Sequence, residues 1–421
     1  MASSDLQTAP EAPGLYVHIP FCVKKCRYCD FLSFGVGDCR RRYGPDVIER
    51  YFYALFEQLD AVAKETALRD RLIPREAELP ACCDTVYIGG GTPGLADAGL
   101  IARLLEKLAT VFRIGGGAEV TLEVNPCTVS DDKLRAYRAA GVNRLSMGVQ
   151  SLSGRLLNNL GRVHTADVAR RAVYAAKKYF DNINLDFIFG IPGIAGSGAG
   201  SAPPQSISEL RDCLRFVVSE RIPHVSFYSL IIEPGTEFDR LQTGGELCLP
   251  DDADERSMYH ELRYFLTENG YIHYEISNFS KPGRESRHNL KYWDGTPYTG
   301  LGLGAVSYLP ASPNGDYMRF RQTADLSDFL NTGSDPCVKD RGYEIQERLD
   351  IDARKREYMM LGFRKLGGPD PERYRRLFNG SMAEDFSKEL RLLKERDLIG
   401  ADNKLTAHGL DYANEIFMMF I

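Results

Sequence analysis

The sequence predicts an α/β fold: a partial (β/α)6 barrel of the TIM type, followed by a smaller, mainly helical domain of winged-helix-like shape. Three observations carry the prediction. From residue 15 onward, short β-branched runs alternate with longer stretches whose apolar residues recur at intervals of three and four. Such alternation means a parallel sheet with helices outside, and six units curl into an open barrel. After about residue 310 the alternation fades, and 341–421 is mainly helical.

Taken in order, the strands are LYVHI (15–19), DTVYI (84–88), EVTLEV (119–124), NRLSMGV (143–149), NINLDFIF (182–189) and HVSFYSLII (224–232). The first helix, VIERYFYALFEQLDAVA, sets Ile48, Phe52, Leu55, Leu59 and Val62 on one face. Helices follow at 100–112, 130–141, 165–180 and 206–220, with Ser130 and Thr165 as N-caps and Gly141 as a C-terminal stop. Two segments break the rhythm. GIAGSGAGSAPP (193–204) reads as a flexible surface insertion, and its GSGAGS lacks the Lys of a phosphate-binding Walker loop. The ending LKERDLIGADNKLTAHGLDYANEIFMMF reads as helix, short β-wing and helix. Residues 341–421 balance 15 Lys+Arg against 15 Asp+Glu, which favours a packing role over DNA binding. The expected organisation is a disordered N-terminus at 1–14, the barrel at 15–310 with a distinct segment at 271–310, and the C-terminal domain at 341–421.

Composition narrows the function classes. A net charge of -6 argues against non-specific nucleic-acid binding. The start, MASSDLQTAPEAPG, has neither a basic nor an apolar signal region, and no run approaches the roughly 18 apolar residues of a membrane span. A cytoplasmic protein is expected. Of ten cysteines only three are tightly spaced, so a thiolate metal site in a reducing compartment is the better reading than a disulfide framework. The other seven are expected to be mostly buried free thiols.

Those three stand in HIPFCVKKCRYCDF, as Cys22, Cys26 and Cys29 on the loop after the first strand. Soft thiolates select zinc or iron–sulfur clusters. A structural zinc wants a fourth protein ligand; His18 is near, but a strand histidine is more often packed. A [4Fe–4S] cubane held by three cysteines instead leaves one iron open for a small chelating molecule.

CVKKCRYC after a strand, with an aromatic before the last Cys, resembles the signature of radical S-adenosylmethionine (SAM) enzymes. YVHIPFC ahead of it is similar to the oxygen-independent coproporphyrinogen III oxidase group within them, and the resemblance runs from about Leu15 through the C-terminal domain. It implies a [4Fe–4S] cluster at Cys22, Cys26 and Cys29, with SAM chelating the fourth iron. One-electron cleavage of SAM would release methionine and a 5′-deoxyadenosyl radical. GGGTP follows strand two; its glycines allow a nest of N–H groups for a carboxylate, and by resemblance Gly90, Gly91 and Thr92 contact the methionyl group. Glu123 ends strand three, where a carboxylate can accept from ribose hydroxyls. Gln150 ends strand four, Arg162 follows on the next loop, and Asp186 sits in an otherwise apolar strand where a bare charge is costly. The resemblance adds Tyr16 and Tyr28 to the same SAM site.

Oxidase members carry a fourth cysteine two residues after the third, where this chain has Phe31, and a longer N-terminal extension than the fifteen residues before Tyr16. Both departures weigh against coproporphyrinogen decarboxylation. HNLKYW, with the only tryptophan of the chain, resembles the HNxxYW motif of a sister branch, the HemW heme chaperones. His288 offers an axial imidazole, and Tyr292 and Trp293 offer flat apolar faces for heme. The resemblance implies delivery of heme to an apoprotein such as a respiratory cytochrome. The alternatives are the SAM-dependent oxidase of porphyrin biosynthesis and, remotely, a zinc-stabilised binding module. Whether SAM is cleaved productively, and which electron donor serves, stay open on sequence alone.

Overall fold

Along each of six strands, apolar residues alternate with polar ones. The strands are β1 (Gly14–Ile19), β2 (Cys83–Gly90), β3 (Ile114–Val124), β4 (Arg144–Gln150), β5 (Ile183–Phe189) and β6 (His224–Ser229). In the computed structural model, which describes residues 12–64, 82–195, 203–312, 315–331 and 343–421, they pair in parallel, each with the next. Leu15, Val17, Val86, Ile88, Leu122, Leu145, Met147, Leu185, Phe187 and Val225 are buried in one continuous core. Their neighbours Tyr16, Thr85, Tyr87, Thr121, Glu123, Arg144, Ser146, Asn184, Asp186 and His224 point the other way, since successive side chains on a strand face opposite sides. The barrel therefore has an apolar outer wall, covered by helices, and a polar lumen.

The covering helices are α1 (Val47–Lys64), α2 (Ala98–Val111), α3 (Asp131–Ala139), α4 (Ala166–Ala176) and α5 (Ile207–Ser219), with α6 (Asp252–Glu268) joined to α5 by the Arg211–Glu261 ion pair. The first five lie close to their predicted ranges. Ser130 accepts from the Lys133 N–H and Thr165 from the Val168 N–H, the capping that starts α3 and α4. Gly141, at φ 102°, ends the turn after α3, a conformation that suits glycine.

The sheet is wider than six strands. β7 (Ile272–Glu275) and β8 (Asn278–Ser280) add antiparallel beyond β6. On the other edge β9 (Tyr298–Leu301) pairs in parallel with β1, and β10 (Val306–Pro310), β11 (Tyr317–Gln322) and β12 (Tyr343–Leu349) continue antiparallel. The result is one open, twelve-stranded sheet in the order β7-β8-β6-β5-β4-β3-β2-β1-β9-β10-β11-β12. The expected fading of strands after residue 310 is thus corrected. β11 and β12 are joined by cross-strand ion pairs, Arg319 with Glu347 and Arg321 with Glu344, so their polar faces carry little hydrophobic period.

Helices α8 (Ile351–Gly362), α9 (Pro371–Phe378) and α10 (Ser387–Glu395) surround a second core of Met359, Phe363, Tyr374, Leu393, Ile416 and Phe420. An antiparallel bridge between Ile399 and Leu405 stands where the wing was read. The expected disorder at 1–14 lies outside the described residues for 1–11, and Gly14 already belongs to β1. Of the flexible insertion, 196–202 also lies outside them. Gly193–Ile194 pairs with Leu247–Cys248. Among the unassigned cysteines, Cys39, Cys83 and Cys213 are buried free thiols as expected, and Cys82 is half-buried; Cys127 and Cys248 are exposed, against that expectation, and Cys337 lies outside the described residues.

Candidate functional site

The cysteine loop leaves β1 at Ile19 and is closed at its neck. Phe21–Cys22 pairs with Phe34–Gly35, and the Phe34 N–H donates to the Pro20 carbonyl at 2.7 Å. His18 is the pin beneath it. Its Nε2 donates to the Leu32 carbonyl at 2.8 Å, so its Nδ1 accepts from the Tyr16 hydroxyl at 2.9 Å. With both nitrogens engaged and its pKa lowered by burial, His18 is a packed histidine rather than a metal ligand.

Each thiol has its own partner. Thr92 Oγ1 donates to Cys22 Sγ at 3.5 Å, Arg162 Nη1 donates to Cys26 Sγ at 3.4 Å, and Cys29 Sγ lies 3.8 Å from Ser33 Oγ. Burial raises the Cys22 and Cys29 thiols, against the pull of these hydrogen bonds, so thiolates here call for a compensating cation. Among the described residues no three His, Cys, Asp or Glu side chains close on one point as a single ion would require. Three soft sulfurs on one loop, two of them aimed at by the Thr92 and Arg162 donors, suit an iron–sulfur cubane, where each sulfur takes its own iron, better than one zinc.

The predicted SAM residues gather beside this loop, with one change of role. The GGGTP N–H groups are already taken: Gly90 donates to Glu123 Oε2 at 3.0 Å, Gly91 to the Ile19 carbonyl and Thr92 to the Phe21 carbonyl, both at 2.8 Å. The turn therefore braces the cysteine loop and is not the free N–H nest expected. Its glycines matter for approach, because a Cβ on Gly91 would sit 2.8 Å from the Phe21 carbonyl oxygen. Gln150 closes β4 at φ 65°, an uncommon left-handed conformation for a residue with a Cβ. Arg162 reaches Asn125 Oδ1 at 2.5 Å and the Gly148 carbonyl at 2.7 Å. The Tyr28 hydroxyl is hydrogen-bonded to Cys26 and held well above its ordinary pKa by burial.

Asn125 went unpredicted. It donates from Nδ2 to Thr92 Oγ1 at 2.7 Å while accepting from Arg162, so one amide orients the donors to both Cys22 and Cys26. The sequence signal was the Asn-Pro pair directly after a strand, which caps the turn at Pro126–Thr128.

Deeper in the lumen the polar groups are paired. Tyr87 donates to Glu123 Oε1 at 2.7 Å; burial still pushes the Glu123 carboxyl up to about 7. Asp186 lies midway along β5 rather than at its end. It accepts from Ser146 at 3.0 Å and Asn184 at 2.8 Å, so the feared bare charge is a bonded one, though burial still raises it. Tyr16 stacks on Tyr87 with centroids 6.3 Å apart. Arg144, fully buried in the lumen, was also unpredicted; its positive charge favours the ionised forms of Glu123 and Asp186.

HNLKYW does not join this group. It forms α7 (Arg287–Trp293) beneath the opposite, N-terminal ends of β1–β3. Glu119 accepts from the Arg287 and His288 N–H groups at 3.3 and 3.1 Å, an acidic partner at a helix start. His288 is buried, with Nδ1 hydrogen-bonded to Thr85 Oγ1 at 2.9 Å and Nε2 to the Tyr292 hydroxyl at 3.0 Å. Burial, then the charges of Lys291 and Arg144, lowers it to about 3, so it is neutral. Tyr87 joins the two ends: its hydroxyl binds Glu123 and its ring stacks on His288 at 5.2 Å.

Comparison with known proteins bears on this arrangement. The Radical SAM superfamily profile matches residues 16–196. The heme chaperone HemW of Lactococcus lactis is 32% identical over 410 residues, covering 96% of each chain. That of Bacillus subtilis is 31% identical, covering 96% of this chain and 98% of its own, and that of Escherichia coli K12 is 33% identical over 84% and 82%. The chain belongs to the HemW family of the radical SAM superfamily. Membership of that superfamily implies a [4Fe–4S] cluster and SAM. The HemW-family fold is also close to that of coproporphyrinogen III oxidase (HemN) from Escherichia coli, a radical SAM enzyme, with a TM-score of 0.74 at 23% identity over 98% of this chain and 90% of that one. Phe31, where the oxidase pattern has its fourth cysteine, is 65% exposed in this HemW-family chain. Among the described residues no helix is long and apolar enough to cross a membrane.

Proposed function

We propose that this protein is a heme chaperone: it binds a [4Fe–4S] cluster through Cys22, Cys26 and Cys29, SAM beside that cluster, and heme at α7, and passes the heme to an acceptor apoprotein in the cytoplasm. The observation that carries the reading is the HNLKYW segment on α7, in a chain 31–33% identical to proteins named heme chaperone HemW. His288 is packed as His18 is, with both nitrogens bonded, so its Nε2 must give up the Tyr292 hydroxyl before it can take an iron. Tyr292 and Trp293 on the same short helix supply aromatic faces, in a chain whose relatives bear the heme chaperone name.

At the other end, the cluster when bound supplies a one-electron reductant for SAM. The protein's own part is binding and orientation. Arg162 and Thr92 direct hydrogen bonds at the sulfurs, Asn125 fixes both, and Glu123 offers a carboxylate to a ribose. Gly90, Gly91, Gln150, Asp186, Tyr16 and Tyr28 complete the proposed SAM surroundings.

The test is a heme titration of anaerobically reconstituted protein, followed by the Soret band. The parent is expected to give a shifted band and His288→Ala a weaker one; equal binding by both removes the α7 assignment. Conversion of coproporphyrinogen III to protoporphyrinogen IX with SAM and a reductant is expected to be absent. Its presence would replace this reading with the oxidase.

A further inference from the structure

Helix α7 is closed on its outer side by the C-terminal domain. Arg364 lays its guanidinium over the Trp293 ring, 4.3 Å from the centroid, and reaches the Phe417 ring at 5.8 Å. Lys365 forms an ion pair with Asp294, the residue that ends α7. Arg373 donates to the Asp294 carbonyl at 2.8 Å and to Thr296 Oγ1 at 2.7 Å. The backbone of the same segment docks on β7, the edge of the sheet. Ile276 N–H donates to the Arg364 carbonyl at 3.1 Å, Leu366 N–H to the Tyr274 carbonyl at 3.2 Å, and Lys365 bridges Glu275. The inner side is closed by the Thr85 and Tyr292 bonds to His288.

This cover is polar and imperfectly paired. Trp293 Nε1, Arg364 Nε and Glu275 Oε2 are all buried at the seam without a hydrogen-bond partner. A buried polar atom left unpaired is a cost that opening to solvent relieves. The seam is thus held by a cation–π contact, ion pairs and a few backbone bonds, and it contains groups that gain by separation. An interface meant to stay shut would bury apolar surface here instead.

We infer that Arg364, with Lys365 and Arg373, forms a gate over α7: heme reaches the Trp293 face of the helix only after the guanidinium leaves the indole and this part of the C-terminal domain lifts from β7. The inference rests on the reading of α7 as the heme segment. Arg364 is a positioning residue, acting on heme through Trp293. The flat macrocycle takes the aromatic face that the flat guanidinium gives up.

The chain carries its own reporter, because Trp293 is its single tryptophan. Full-length protein with reconstituted cluster is mixed rapidly with hemin, and quenching of Trp293 emission is followed. In the parent, the rate should level off as hemin is raised, the mark of an opening step that precedes binding. Arg364→Ala should raise that plateau about five-fold, the size of one cation–π contact. Before hemin is added, it should also red-shift the emission and make it more accessible to acrylamide. Arg364→Lys keeps the charge without the planar face and should move the plateau in the same direction by less. A rate that rises linearly with hemin and is the same in all three proteins overturns the gate while leaving His288-dependent binding intact. Equal hemin uptake by His288→Ala overturns the α7 assignment and the gate with it.

Discussion

The two ends of the barrel solve opposite problems. At the C-terminal ends of the strands, the cysteines lie half-buried on a loop, with Thr92 donating to Cys22 and Arg162 to Cys26 from outside it and Ser33 beside Cys29 within it. At the N-terminal ends, His288 is buried and both its nitrogens are occupied by neighbours. The first end gathers three thiols on one loop; the second pairs its histidine fully but leaves Trp293 Nε1 and Arg364 Nε unpaired at its outer seam.

The largest effect should come from the open end. Cys22→Ala, Cys26→Ala or Cys29→Ala should each abolish cluster assembly, read as loss of bound iron and of brown colour after anaerobic reconstitution. Hemin binding at α7 in the same variants should persist; if it vanished with the cluster, the ends would be one site and the comparison would fail.

Next in size is a pH effect weighted to buried imidazoles. His164, beside the open end, titrates at about 4 in the fold, and His273 and His288 at about 3, all depressed from 6.5 chiefly by burial. Below 6.5 the unfolded chain binds protons that the folded chain refuses, so stability falls as pH drops toward those values. Glu123 has the opposite sign. Raised from 4.5 to about 7, it holds a proton in the fold that the unfolded chain has lost, and its stabilisation fades as pH rises through about 7. His18 and His224 are lowered by burial as well, and Asp186, Glu275 and Glu357 are raised with Glu123; between 6.5 and 4.5 the five histidines lose stability as pH falls and the four carboxyls offset part of it. The check is a lower urea midpoint for cluster-free protein at pH 5.5 than at pH 7. His288→Gln should flatten the slope by up to about 1.4 kcal/mol per pH unit, the weight of one proton.

The smallest effect separates placement from stability. Asn125→Ala removes the amide that aims Thr92 and Arg162, at a stability cost of about 1 kcal/mol. SAM affinity, measured by calorimetry on cluster-loaded protein, should fall about ten-fold, while Trp293 emission stays unchanged. A shift in that emission would mean that the two ends are more tightly joined than Tyr87 alone allows.

Much of this was legible beforehand, for physical reasons. The six parallel strands and their helices declare themselves because burial on the outer wall imposes a period, and Ser130, Thr165 and Gly141 mark ends by their own chemistry. The cysteine spacing is local and survives as a motif. Hidden instead were β11 and β12, whose exposed faces carry Arg–Glu pairs, and the GGGTP N–H groups, whose partners lie 33 residues ahead at Glu123 or about seventy residues back at Ile19 and Phe21. Arg144 and Asn125 were hidden because a polar residue in a strand or turn does not announce which lumen it faces. The opposed placement of α7 could not be read either, since β9 returns parallel to β1 and carries its preceding helix to the far rim.

That return strand has a mechanical consequence. β9 runs from Tyr298, whose ring abuts Tyr292 at 4.7 Å, up to Leu301, and the chain then enters Gly302–Leu303–Gly304. There the Leu303 N–H is held by Tyr51, the same hydroxyl that grips the His18 carbonyl, and a Cβ on Gly304 would strike Leu32 at 2.2 Å. One strand thus abuts an α7 tyrosine at its lower tip and props the root of the cysteine loop at its upper one. The spacing between the two ends is therefore fixed by the length of one strand, whatever either end holds.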